Sequence, residues 1–105
     1  MKLDRNRRDD GHGKYAVVRM RRLDGAPAEI KAALALLLTG GFVTMDAPGG
    51  EDEFFVVMLK DAYAQAGLTA YAQAALDDGE VEYAMEVLDL AARSGPSNPL
   101  CKKPD

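Results

Sequence analysis

One histidine, one cysteine and no tryptophan occur in the whole chain, and these shortages exclude most familiar chemistry. A structural zinc cage needs about four His or Cys ligands. His12 stands in a polar stretch, Gly11-His12-Gly13, and Cys101 has neither a second cysteine nor a nearby histidine. An internal disulfide is excluded outright. Ser-His-Asp chemistry has only Ser94 and Ser97 to draw on, both close to the C-terminal end. Gly11-x-Gly13-Lys14 lacks the upstream glycine and the following Ser/Thr of a phosphate loop, and Gly49-Gly50 reads as a turn. Glu51-Asp52-Glu53 lacks the alternating oxygen ligands and glycine of a calcium loop. No catalytic, cofactor-binding or metal-ligating residue is therefore assigned, and a non-enzymatic protein without cofactors is expected.

Long apolar runs are missing too. The longest unbroken one, Ala32–Leu38, falls far short of the ~20 residues a spanning helix needs. No apolar stretch follows the basic N-terminus, as one would in a secretory signal. With a single cysteine, these features lead us to expect a reducing, cytoplasmic setting.

What the chain does have is segregated charge. Residues 1–22 carry eight Lys/Arg against three acids, a net of +5, while the other 83 residues carry a net of −9. Such a split offers two surfaces with opposite preferences in partner. Arg5, Arg7 and Arg8 lie on a polar stretch and could reach phosphates; Arg19, Arg21 and Arg22 follow within a more apolar run. Tyr15 is the only aromatic residue there, which argues against a base-stacking platform. Glu51, Asp52 and Glu53 form the densest acidic group. They read as a solvated hairpin or, with Asp46, Asp61 and others, as a negative patch for a basic groove on another protein. These nine residues are the candidate partner-binding set.

Residues 1–13 read as a flexible basic arm, 14–95 as one α+β domain, and 96–105 as an irregular, proline-rich tail. Within the domain, Lys14–Leu23 is rich in strand formers. Asp24 to Pro27 prepare a helix in which Ile30, Ala33, Leu34, Leu37 and Leu38 share a face, ended by Gly40-Gly41. Phe42–Asp46 and Glu53–Lys60 read as the two strands of a hairpin. Phe54, Val56 and Met58 alternate with Phe55, Val57 and Leu59, so the second strand should be covered on both faces, by a helix or by a second subunit. Asp61 caps the next helix, with Tyr63, Ala66, Ala70, Tyr71 and Ala74 as its seam and Gly67 as a kink. Asp77-Asp78-Gly79 reverses the chain into a last helix with Val81, Ala84, Leu88 and Ala91 inward and an Asp89–Arg93 pair outward. The expected fold is α+β, in the order β-α-β-β-α-α: a small three-stranded, mostly antiparallel sheet packed with three helices. The helix before the hairpin carries a single Lys31, which argues against major-groove reading by a winged helix.

Three segments, Gly13–Val18, Glu51–Asp61 and Asn98–Asp105, resemble small uncharacterised proteins encoded by tailed bacteriophages and prophages. The resemblance runs over nearly the whole chain and attaches no catalytic or binding residue to it. It implies the cytoplasm of an infected bacterium, where short accessory proteins bind and inhibit host defence or replication factors. The expected partner is thus a host protein. Nucleic acid bound through the basic segment and a homodimer are the other expectations.

Overall fold

The computed structural model describes residues 1–4, 10 and 12–104. It is helical. In chain order the helices are α1 (Met20–Leu23), α2 (Ala28–Thr39), α3 (Ala64–Asp77) and α4 (Val81–Ala92), followed by a 3-10 turn, Gly95–Ser97. The chain divides into two units, residues 1–15 with 56–105, and residues 16–55.

The first unit is built on a helical hairpin. Three residues, Asp78 to Glu80, separate α3 from α4, so the helices run antiparallel and pack along their length. Their core is small and alanine-rich: Ala64 and Ala72 from α3, with Ala84, Val87, Leu90 and Ala91 from α4. Short side chains at the seam let two helix backbones approach closely. The hairpin forms as the sequence suggests, but the seam on α3 is turned. Tyr63, Ala66, Ala70, Tyr71 and Ala74 are exposed, and Ala64 and Ala72 are buried instead. An alanine-rich helix has little contrast between its faces, so contact with α4 decides which one is covered. On α4, Ala84 and Ala91 are inward as expected, Val81 is exposed, and Val87 and Leu90 complete the core. Helix α3 runs continuously through Gly67, with the Gly67 N–H donating to the Tyr63 carbonyl at 3.3 Å. Asp89 and Arg93 form no ion pair.

The chain after α4 is tied down. Ser94, fully buried, donates its hydroxyl to the Ala91 carbonyl at 2.8 Å, and Gln65 of α3 donates to the same carbonyl at 3.0 Å and to Ser97 Oγ at 3.0 Å. The Gly95 N–H donates to the Leu59 carbonyl at 2.8 Å. Lys102 then bridges Asp61, donating to the Lys60 carbonyl at 3.0 Å and accepting from the Ala62 N–H at 2.9 Å. Asn98 holds this turn together through Arg93 and Leu100. Asp61 does not cap α3, whose N-cap is Tyr63 without a side-chain cap bond; its carboxylate instead accepts the Tyr63 N–H at 2.8 Å in a turn that leads the chain into α3.

The second unit holds α1 and α2. Pro27 precedes α2, and its carbonyl accepts from Ile30 and Lys31 at 3.1 and 3.2 Å. A Schellman motif closes the helix: Gly41 N–H donates to Leu38 and Phe42 N–H to Leu37, at 3.2 and 2.9 Å, with Gly41 at φ +79°. The same motif ends α3, through Gly79 and Glu80. No residue of α2 is buried.

The expected three-stranded sheet does not form. Among the described residues the only β pairing is the isolated Asp61–Lys102 bridge. Each of the three runs loses part of its length to something else. Met20–Leu23 turns helical, as Met, Arg and Leu favour. Phe42 and Val43 give their N–H groups to the cap of α2, leaving only Thr44–Asp46. Leu59 and Lys60 give their carbonyls to Gly95 and Lys102. Strand propensity needs a partner of matching length, and the shortened runs offer none to one another.

Candidate functional site

Two features stand out. In the first, Tyr71 of α3 and Tyr83 of α4 meet beside the reversal. Their hydroxyls are 2.9 Å apart and their rings cross edge-on, with centroids at 6.0 Å. Both line an open cleft with Ala74, Asp78, Glu80 and Met1. The N-terminal segment closes over this end of the hairpin. Leu3 N–H donates to a Glu86 carboxylate oxygen at 2.6 Å, and Lys14 N–H to Asp4 at 3.0 Å. The Tyr83 phenol is pushed up to about 12, first by its hydrogen bond to Tyr71, then by burial and by the charges of Tyr71 and Asp4.

A raised phenol keeps its proton in the folded chain after the unfolded chain has lost it. Its contribution to stability is therefore complete below about pH 10 and fades as pH rises toward 12. Ultraviolet titration of phenolate absorbance should show a late component near pH 12, and Tyr71→Phe should draw it back toward 10. If the curve of that variant keeps its late step, the Tyr71 hydroxyl is not its cause. The two hydroxyls bond each other, so what the pair brings to the cleft is shape and hydrogen bonding. Sequence reading missed the pair, although both tyrosines lie within about two helical turns of the Asp77-Asp78-Gly79 reversal.

The second feature is apolar surface. Nine of the twelve residues of α2 are apolar, and Ile30, Leu36, Leu37 and Leu38 are all exposed. Beyond it, Phe54, Phe55, Val56, Val57 and Met58 are exposed as well, Phe55 at 90%.

The candidate partner-binding residues fall as follows. Arg5, Arg7 and Arg8 lie outside the described residues. Arg19, Arg21 and Arg22 are exposed at and within α1, and Glu51, Asp52 and Glu53 are exposed around the turn after Gly50. Tyr15 has Lys14 Nζ over its ring at 5.2 Å. His12 and Cys101 are exposed, and no group of three His, Cys, Asp or Glu among the described residues could hold a metal ion. No described helix is long and apolar enough to cross a membrane. No protein family, no curated protein and no solved structure matches this chain.

Proposed function

We propose that the chain is a non-enzymatic interaction protein that binds a host protein by laying α2 into an apolar groove of that partner. The observation that carries this reading is a helix of nine apolar residues in twelve with none of them buried. An all-round apolar helix is ordinarily found inside a protein, and one left bare by its own chain is suited to a groove on another. Arg19, Arg21 and Arg22 before it, and Glu51–Glu53 after it, would speed encounter and set orientation rather than supply most of the affinity. The resemblance to phage-encoded proteins supplies the partner class and the setting: a host defence or replication factor, held inactive in the bacterial cytoplasm. A membrane surface suits α2 poorly, because such helices carry a strongly basic polar face and Lys31 is its one basic residue.

The test is capture from host lysate with the full chain, followed by affinity measurement on the recovered protein. Ile30→Glu and Leu37→Glu should each weaken that complex about tenfold or more, since each removes a buried apolar anchor. Both side chains are exposed in the free chain, so folding is spared. Tyr71→Phe should bind as the parent does. Recovery of no stoichiometric protein, or affinity indifferent to both Glu variants, would defeat the reading.

A further inference from the structure

Among the described residues, Tyr71 and Tyr83 are the one pair of aromatic rings in contact, with hydroxyl oxygens 2.9 Å apart and centroids at 6.0 Å. A phenol that loses one electron and its proton becomes a radical. Its unpaired electron is shared with the ring carbons beside the C–O bond, and two such radicals couple carbon to carbon. Those carbons are immediate neighbours of the one that bears the hydroxyl. The 2.9 Å hydroxyl contact therefore holds a reacting carbon of each ring close to the other. The rings meet at 62°, and the broad χ2 torsion of tyrosine lets them turn toward one another. Tyr71 is exposed, Tyr83 is half-buried, and the cleft they line is open, so a soluble oxidant reaches them. We propose that the pair is an oxidation site: a one-electron oxidant converts Tyr71 and Tyr83 into a dityrosine that locks α3 to α4. Helix α2 has no part in it.

Two equivalents of the oxidant each take one electron, one from each tyrosine, and each tyrosine releases one proton to solvent. The two radicals form one carbon–carbon bond. Each joined carbon then passes its hydrogen to its own ring oxygen as aromaticity returns. Both hydroxyls are restored, and the product is lighter by one hydrogen per ring. The bond ties helices together where their packing is thinnest. Beside Tyr71 and Tyr83 the buried residues are Ala72 and Ala84, whereas the larger Val87 and Leu90 lie farther along α4. A link between these positions also restricts the unfolded chain more than the folded one, where the rings already touch. The other tyrosines, Tyr15 and Tyr63, are more exposed than Tyr71 but have no aromatic ring against them among the described residues. Oxidation there can couple only one molecule to another.

The test is photo-oxidation of the intact chain by a ruthenium tris-bipyridyl complex with persulfate, which removes electrons one at a time. A Cys101→Ser background removes the competing thiol. At high dilution the chain should gain dityrosine fluorescence while keeping the mass of a monomer on a denaturing gel. Cleavage after Glu80 and Glu82 should then leave the Tyr71 and Tyr83 peptides joined. Tyr71→Phe and Tyr83→Phe keep the rings, and each should lose the linked monomer. At high protein concentration both variants should still give linked dimers through Tyr15 and Tyr63, which shows that the oxidant is active. Replacing Tyr15 and Tyr63 together with Phe should leave the linked monomer in place. The linked fraction should unfold at a higher urea concentration than the unlinked fraction of the same reaction. Dityrosine confined to dimers, or a linked monomer that survives Tyr71→Phe or Tyr83→Phe, overturns the proposal. Equal urea midpoints for the two fractions overturn the lock.

Discussion

Replacing Gly95 with alanine should lower stability by about 2–4 kcal/mol. Two costs add at this position. Gly95 has φ +54°, where an L side chain is strained by roughly 1–2 kcal/mol. A Cβ there would also stand 3.0 Å from Gln65 Cβ, 3.1 Å from the Gln65 nitrogen and 3.3 Å from the Ala62 carbonyl oxygen. Two of those neighbours are backbone and cannot swing aside. Yielding would disturb the Gly95–Leu59 hydrogen bond and the Gln65 contacts that fasten the chain after α4. Gly79→Ala is the control, since Gly79 has φ +86° but open space around its missing Cβ. It should cost only the backbone strain, about 1 kcal/mol. Urea denaturation of both variants measures the difference, and equal losses would mean that Gln65 does not press on Gly95.

Val87→Asp should be the most damaging substitution on α4, at about 3–5 kcal/mol. Val87 is only 2% exposed and lies on the buried side of α4 with Ala84, Leu90 and Ala91. An aspartate there has no partner, and its carboxyl is driven toward the neutral form. The loss should therefore shrink in acid, where the carboxyl is protonated before folding has to bury it. Val81→Asp on the same helix gives the contrast. Val81 is 56% exposed at the first residue of α4, where a negative charge suits the helix dipole. Its effect should stay within about 0.5 kcal/mol. Comparable denaturation midpoints for the two variants would contradict the packing of α4 on α3.

Helices α2, α3 and α4 were legible because their signals are local. Pro27 and Gly40-Gly41 mark the ends of α2, Asp61 marks the approach to α3, and Gly79 marks the reversal, each through backbone rules that act within a turn of chain. The strands were misread because a strand is a relation between distant segments. Tyr15–Val18 and Phe54–Leu59 have the composition of strands. Composition alone could not show that the cap of α2 takes up Phe42 and Val43, or that Gly95 and Lys102 take the carbonyls of Leu59 and Lys60. The candidate site fared similarly. Charge pointed to the arginines and to Glu51–Glu53, whereas α2 became visible as a candidate only once it was clear that none of its residues is buried among the described residues.

By itself the sequence settled the local matters: roughly where α2, α3 and α4 begin and end, and that charge is segregated. Those follow from residue chemistry and from backbone preferences a few positions wide. Tertiary structure alone decided which face of α3 is buried, that Tyr71 meets Tyr83, that the C-terminal segment folds back onto residues 59–62, and that no sheet forms. The physical reason is competition. A backbone donor, a carbonyl or an apolar face has several possible partners along the chain, and only the folded arrangement determines which of them it takes.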